Sequence, residues 1–140
     1  DVYKRQALVH AIFHAPQYAL PSIQALQLAT HTQPVPLTKQ TATQLLANLE
    51  RRQWLHHLPS GAYTLTLRAL HELDTYIRHE VDEACVLECM ACYAIVTRGV
   101  RCASCRGAVH TSCQSAYEAG HATCTLCGVA WQPVPVGESL

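Results

Sequence analysis

Residues 89–127 read CMACYAIVTRGVRCASCRGAVHTSCQSAYEAGHATCTLC and contain seven of the eight cysteines of this chain. With one histidine they form four pairs whose partners are two residues apart: Cys89/Cys92, Cys102/Cys105, His110/Cys113 and Cys124/Cys127. Two ligands at this spacing reach one zinc ion from a tight turn, and zinc prefers four ligands in a tetrahedron. Disulfides or a single catalytic cysteine would not require this regularity, so the stretch predicts two zinc sites.

The order of the four pairs predicts which of them share an ion. Spacers of nine and ten residues are too long for independent zinc knuckles and too short to bury a core of their own. We therefore predict a cross-brace, in which the first and third pairs hold one ion and the second and fourth pairs hold the other. The expected ligands are Cys89, Cys92, His110 and Cys113 for the first zinc, and Cys102, Cys105, Cys124 and Cys127 for the second.

Five side chains near the ligands receive other roles. Cys85 precedes the first pair by four residues, and we expect it to be a small buried hydrophobe. His121 is out of register with the pairs and is expected on the surface. Arg98, Arg101 and Arg106 are expected around the second site, because its four thiolates make it the more negative one; ordinary solvated surface is the alternative.

Composition predicts a globular chain from a reducing compartment. Of its 140 residues 49% are hydrophobic and 14% charged, and the paired cysteines indicate metal rather than a secreted disulfide scaffold. Ten basic and ten acidic side chains cancel, which argues against direct nucleic-acid or membrane binding. The chain does not begin with Met, which indicates a fragment, and its opening residues 1–6, DVYKRQ, are assigned no role in the fold.

The region before the zinc ligands predicts two helices in its first half. Residues 17–30 are expected to form one helix that starts near Pro21. Its inward apolar residues are Leu20, Ile23, Leu26 and Leu28. Thr38 is a suitable cap for the second helix. The apolar stripe of that helix consists of Ala42, Leu45, Leu46 and Leu49.

A hairpin and a third helix follow. The segments WLHHL (54–58) and AYTLT (62–66) are predicted strands, and Gly61 supplies the positive φ of the turn between them. One helix is expected over residues 67–81, with an apolar face formed by Leu67, Leu70, Leu73, Ile77 and Val81. This order predicts a winged helix at residues 7–84; a nonspecific small α+β unit is the alternative.

Charge and composition assign roles to the two ends of the chain. Residues 1–84 hold seven basic and seven acidic side chains, without the clustered positive face that phosphate binding needs. The winged helix is therefore expected to bind protein, with DNA contact as the alternative. Residues 133–140 contain two prolines and little apolar content beyond valines, so they are expected to be a frayed tail.

The zinc pattern and the segment before it together resemble a known family. The C4HC3 ligand order, a winged helix just before it, and Trp131 four residues after the last ligand are similar to the Nse1 family, the RING-bearing non-SMC subunits of the SMC5/6 complex. RRQWLHHLPSGAYTLTLRALHELDTYI (51–77) looks like the second winged helix of that family, and Val109 and Tyr117 occupy positions where it carries hydrophobic and aromatic residues. The resemblance covers about residues 17–132.

The resemblance implies both an architecture and a function. It implies an α+β chain with a winged-helix domain at 7–84, a cross-braced RING-like domain with two Zn²⁺ at 85–132, and a tail at 133–140. It implies a nuclear E3 ubiquitin ligase subunit in DNA repair and chromosome maintenance, with a MAGE-type Nse3, the kleisin Nse4 and an E2 enzyme as partners. A RING holds the ubiquitin-loaded E2 in position for attack by a lysine. The implied E2-facing residues are Met90, Ala91, Tyr117 and Leu126.

Two other functions stay open. The first is a zinc-braced interaction module of the same complex without ligase activity. Two residues favour it: Ala91 stands where active RINGs often carry a larger aliphatic residue, and Gly128 stands where many carry a basic residue. A PHD-like histone reader shares the C4HC3 order. PHD fingers usually have an aromatic residue two positions before the seventh ligand, where this chain has Ala122.

Overall fold

Three helices and a β-hairpin begin the first unit in a computed structural model, which describes residues 2–31 and 36–137, and two short helices complete the unit. Its first elements are α1 (Val2–His14), α2 (Ser22–His31), α3 (Lys39–Arg51), β1 (Leu55–His57) and β2 (Tyr63–Leu65). Between α1 and α2, Leu20 forms an antiparallel bridge with Tyr63. Helix, short strand, two helices and hairpin is a winged-helix order. The sequence pattern predicts α2, α3 and the hairpin of this order but not α1 or the bridge at Leu20.

Helix α1 corrects the sequence analysis, which gives residues 1–6 no role in the fold. Lys4 is 1% exposed, and the Arg5 guanidinium lies 5.8 Å from the centre of the Trp54 ring, within cation–π range. The helix contributes core residues at i, i+4 spacing, namely Leu8, Val9, Ile12 and Phe13. That spacing is readable in the sequence and is the signal that identifies the helix.

The start of α2 and the cap of α3 agree with the predictions, but the buried face of α2 does not. Thr38 Oγ1 accepts a hydrogen bond from Thr41 N at 3.2 Å, which confirms the cap. In α2, Ala25 and Ala29 are buried, whereas Ile23 is 70% exposed. Helix α2 contacts α1 and α3, and Ile23 is on the side of the helix that faces outward.

The hairpin turns where the sequence predicts. Leu55 lies opposite Leu65, and His57 lies opposite Tyr63 with the two rings stacked 4.4 Å apart. Gly61 has φ +91°, a conformation that costs a residue with a side chain roughly 1–2 kcal/mol. The glycine is therefore required at this turn.

The single helix predicted over residues 67–81 is wrong. The structure has two helices there, α4 (Leu67–Glu72) and α5 (Asp74–Glu80). Leu73 separates them with φ −104° and ψ 11°, and Asp74 favours a new helix start because negative charge is stabilising at a helix N-terminus. Because of the break, Ile77 is fully buried while Leu67 is 59% exposed. In the predicted single helix, both residues belong to one apolar face.

The second unit contains two small sheets and one helix. Its elements are β3 (Leu87–Glu88), β4 (Ile95–Val96), β5 (Gly99–Cys102), β6 (Ala108–His110), α6 (Gln114–Gly120) and β7 (Pro133–Val136). Strand β3 pairs with β4, and the other sheet has the order β6–β5–β7. Among the helices of the two described ranges, none is long and apolar enough to cross a membrane.

Strand β7 corrects the expectation that residues 133–140 form a frayed tail. Val136 pairs with Gly99 and is 6% exposed, and the backbone N–H of Gly137 donates to Gln17 Oε1 at 2.8 Å. The two prolines fit because β7 is an edge strand, where a missing N–H need not remove a ladder hydrogen bond. Residues 138–140 lie outside the described part of the chain.

The segment between the two units is held by hydrogen bonds from both sides. Tyr18 Oη donates to Cys85 O at 2.9 Å from the first unit. From the second unit, Arg106 Nη2 donates to Val86 O at 2.8 Å and also to Glu83 O. The expected domain boundary falls in this segment, and the boundaries stay predictions.

Candidate metal centres

Cys89, Cys92, His110 and Cys113 converge in the first cluster, where their ligand atoms all lie within 4.8 Å of one another. Cys92 Sγ is 3.2 Å from His110 Nδ1, and Cys113 Sγ is 4.0 Å from the same nitrogen. A zinc tetrahedron with bonds of about 2.0–2.3 Å places its ligand atoms roughly 3.5–3.8 Å apart. The cluster therefore has the size of a zinc site.

The ring of His110 is oriented by its second nitrogen. Nε2 lies 2.9 Å from the carbonyl oxygen of Ile95, and since a carbonyl only accepts hydrogen bonds, Nε2 carries the proton. The Nδ1 lone pair then faces the sulfurs, as metal ligation requires. Ile95 is 2% exposed and belongs to the core of the first unit, so the winged helix and the first cluster share this contact.

Cys102, Cys105, Cys124 and Cys127 form the second cluster, again with all ligand atoms within 4.8 Å. The Cys102 and Cys127 sulfurs are 3.7 Å apart, and those of Cys105 and Cys124 are 3.6 Å apart. Four thiolates at about 2.3 Å from one zinc ion are separated by roughly 3.8 Å, so these distances fit. The structure groups the eight residues as the cross-brace predicts, and each cluster can hold one zinc ion.

Backbone N–H groups favour the thiolate form of one cysteine in each cluster. Burial raises the pKa of Cys89, but backbone hydrogen bonds, including those from Ala91 at 3.4 Å and Cys92 at 3.5 Å, bring the pKa down to about 6. Ser104 N donates to Cys102 Sγ at 3.4 Å and is the main reason that the pKa of Cys102 is lowered to about 7. Each cluster therefore contains a thiol that ionises near neutral pH, and zinc binding displaces the remaining protons.

Tyr117 connects the first and last zinc loops from the interior. It is 4% exposed, and its Oη accepts a hydrogen bond from Thr125 N at 3.0 Å and lies 3.8 Å from Met90 Sδ. His121 is on the surface as expected, and its ring stacks on the Tyr117 ring with 4.5 Å between the ring centres. The Trp131 ring lies edge-to-face with the Tyr117 ring, and their centres are 5.1 Å apart. Tyr117 therefore braces the two loops.

The four residues implied to face an E2 lie at different depths. Ala91 is exposed, Leu126 is 66% exposed and Met90 is half-buried. Tyr117 has too little exposed surface for a direct contact of any size, and would act through the loops that it braces. Beside these residues lies a groove of about 610 Å³, here called the loop groove, whose apolar lining includes Val86, Leu87, Met90, Tyr93 and Leu126.

Two of the three arginines expected around the second cluster have identified neighbours elsewhere, and for Arg101 the expectation stays a prediction. Arg106 donates to carbonyl groups of the connecting segment. Arg98 lies near His56 of the hairpin, where burial first and then the charge of Arg98 lower the pKa of His56. Cys85 Sγ lies 3.4 Å from His14 Nδ1, and the half-buried thiol packs against the core of the first unit, close to the role expected for it.

Comparisons with known proteins agree with both halves of this description. A family model described as "Nse1 non-SMC component of SMC5-6 complex" matches residues 5–73, and one described as "RING-like domain" matches residues 89–127. The first of these matches includes most of α1, and the second runs from the first to the last predicted ligand.

Relatives and a solved structure show the same likeness. A "Non-structural maintenance of chromosomes element 1 homolog" of Xenopus laevis is 31% identical over 112 residues, covering 79% of this chain and 41% of that protein. The element 1 protein of Schizosaccharomyces pombe is 32% identical over 115 residues, covering 82% and 47%. A chain in a structure titled "Nse1-Nse3-Nse4 complex" matches with a TM-score of 0.74 and 26% identity, over 93% of this chain and 56% of that one.

The chain thus spans less than half of the length of those two relatives, and its likeness to them runs through both units. The winged-helix order, two Cys/His clusters of zinc-site size and the matches to both units lead to the same assignment. The chain belongs to the Nse1 family.

Proposed function

We propose that this chain acts in an SMC5/6 complex as a RING-type E3 ubiquitin ligase subunit, together with a MAGE-type Nse3 and the kleisin Nse4. The proposal includes a nuclear role in DNA repair and chromosome maintenance. Support for the partners comes from the likeness to a chain of an Nse1-Nse3-Nse4 complex. The RING-like match over residues 89–127 favours a ligase over a PHD-like histone reader.

The observation that carries the proposal is the joint position of the first and last zinc loops. Met90 from the first loop and Leu126 from the last both line the loop groove. Thr125 Oγ1 lies 3.5 Å from Met90 Sδ, and both residues contact Tyr117 Oη. The two loops therefore present one apolar surface, which is what an E2 enzyme needs for docking.

Such a surface would catalyse ubiquitin transfer by positioning alone. The zinc ions hold the loops and make no contact with the reacting atoms. The thioester of the bound E2 is attacked by a substrate lysine, whose amine forms the isopeptide bond while the E2 thiol leaves. Fixing the orientation of the two reactants lowers the entropic part of the barrier.

Ubiquitin discharge by a panel of E2 enzymes tests the proposal, with the chain alone and in complex with Nse3 and Nse4. We expect transfer in the complex, and loss of transfer in Leu126→Asp with unchanged zinc content, because Leu126 is not a ligand. Val134→Asp is the matched control, since Val134 is 37% exposed on β7 and does not line the loop groove. Equal loss of transfer in both variants would contradict an E2 site at Leu126.

The second candidate is a zinc-braced interaction module without ligase activity. Gly128, which follows the last ligand, has φ +75°, so the basic residue that many active RINGs carry there would be strained in this backbone. Absence of transfer with every E2, while zinc, Nse3 and Nse4 are bound, would support this candidate instead. That the winged helix binds protein rather than DNA stays a prediction in either case.

A further inference from the structure

A second cavity lies at the junction of the winged helix and the zinc unit and shares no lining residue with the loop groove. Its volume is about 400 Å³. The hairpin contributes His56 and Thr64, the turn between β4 and β5 contributes Thr97 and Arg98, and the segment after β6 contributes Thr111 and Ser112. His110, a predicted ligand of the first zinc, also lines the cavity, but none of these six polar residues is a predicted ligand. The cavity is called the junction cavity below.

The charge of the junction cavity is positive and uncompensated. Arg98 and His56 come from different units and lie close enough for the charge of Arg98 to lower the pKa of His56, after burial itself. No acidic side chain lines the cavity, and within the described residues neither Arg98 nor His56 forms an ion pair. A bound anion would supply the missing partner for the guanidinium.

Two buried hydroxyl groups add to this preference. Thr64 is 9% exposed and Thr97 is 7% exposed, and in the part of the chain that the structure describes their side chains make no hydrogen bond. All fully buried side-chain nitrogens and oxygens of the described residues have partners, so the hydroxyl oxygens of these two threonines must be accessible. Both threonines line the junction cavity. Neither hydroxyl is engaged by another group of the described residues, so both remain free to donate, and such donors suit a ligand with several acceptor oxygens.

A guanidinium with neighbouring hydroxyl donors fits a phosphoryl group, which accepts several hydrogen bonds at once and pairs bidentately with arginine. A nucleic-acid backbone would need further cations along its path, and the chain has none in surplus, because its basic and acidic residues are equal in number. Beside Arg98, the cavity is lined by Leu67, which is 59% exposed, and by Leu70. Apolar contacts next to a single phosphate site suit a peptide better than a polyanion.

We propose that the junction cavity binds a phosphoserine or phosphothreonine of a partner protein, with Arg98 holding the phosphoryl group and Thr64 and Thr97 donating hydrogen bonds to it. Residues from both units are needed, so binding would also tie the hairpin to the zinc unit. The proposal does not depend on ubiquitin transfer, since none of these residues lines the loop groove.

Fluorescence anisotropy with the zinc-loaded full chain tests the proposal. The probes are a labelled nonapeptide pool with a central phosphothreonine, the same pool with threonine, and a labelled DNA oligonucleotide. We expect the phosphorylated pool to bind at least about tenfold more tightly than the other two, and Arg98→Gln and Thr97→Val each to weaken it by about tenfold or more. Arg101→Gln is the matched control, because Arg101 is exposed on β5 outside the cavity and should bind as the wild type does.

Three results would overturn the proposal. The first is equal binding of the two peptide pools, and the second is unchanged binding of the phosphorylated pool by the Arg98→Gln variant. The third is tighter binding of the oligonucleotide than of the phosphorylated pool, lost in the Arg98→Gln variant, which would assign the cavity to nucleic acid. Zinc content and circular dichroism of each variant are measured alongside. Thr97→Val preserves shape and removes only the hydroxyl, so it keeps the test valid if Arg98→Gln does not fold.

Discussion

Serine at Cys102 should unfold the zinc unit, whereas serine at Cys85 should leave it folded. Cys102 is 1% exposed, and its sulfur lies 3.7 Å from that of Cys127 within the second cluster. A structural zinc ion contributes on the order of 10 kcal/mol to the folding of a small module, and a whole domain has a net stability of about 5–15 kcal/mol. Removing one of the four thiolates therefore takes away enough binding free energy to melt residues 89–127.

Cys85 undergoes the same chemical change at a site that holds no metal. Its sulfur lies 3.4 Å from His14 Nδ1, and the residue is half-buried beside the core of the first unit. A serine hydroxyl can keep the hydrogen bond to His14, so the free energy of unfolding should fall by no more than about 1 kcal/mol. The two variants form a matched pair.

Zinc analysis by mass spectrometry and tryptophan fluorescence distinguish the outcomes. Trp131 Nε1 donates to Glu118 Oε2 at 3.0 Å and the indole contacts Tyr117, so its emission reports the zinc unit. Trp54 is the other tryptophan of the chain, and a Trp54→Phe background removes its signal. We expect two zinc ions per chain in the wild type and in Cys85→Ser, and fewer, with red-shifted emission, in Cys102→Ser. One zinc ion per wild-type chain, or an unfolded Cys85→Ser beside an intact Cys102→Ser, would refute the ligand assignment.

Three further predictions follow from local geometry. Gly107→Ala would place a Cβ 2.8 Å from Met90 Sδ and 3.3 Å from Cys124 Sγ. Because Met90 is flexible, we expect it to move aside and to weaken E2 binding, with a loss near the lower end of about 1–3 kcal/mol in chemical denaturation. Gly128→Ala meets no atom within 4 Å but has φ +75°, so its cost of roughly 1–2 kcal/mol should come from the backbone alone. By NMR titration, the pKa of His56 in the folded chain should lie below its ordinary value, and Arg98→Gln should raise that pKa. Because folding lowers this pKa, the contribution of His56 to stability is fully present above the pKa of the unfolded chain. It is lost as the pH falls through the pKa of the folded chain.

The sequence by itself determines the features that depend on short spacings. Two residues between paired cysteines are enough for both sulfurs to reach one ion, so the eight ligands can be assigned without coordinates. The cap at Thr38 and the turn at Gly61 are likewise local, since each depends on the hydrogen-bonding or steric properties of one residue beside its own chain. These predictions agree with the structure because no distant partner enters into them.

Tertiary structure decides which faces are buried and which distant segments meet. Ile23 has the hydrophobicity of a core residue, yet it is 70% exposed, whereas Ala25 and Ala29 are the buried residues of α2. Residues 133–136 become ordered because β5 offers an unpaired edge. Arg98 meets His56 only when the two units pack together, and their 42-residue separation in the sequence leaves no periodic signal. Burial and long-range contacts depend on how all helices and strands pack together, so they cannot be read from the residues of one segment.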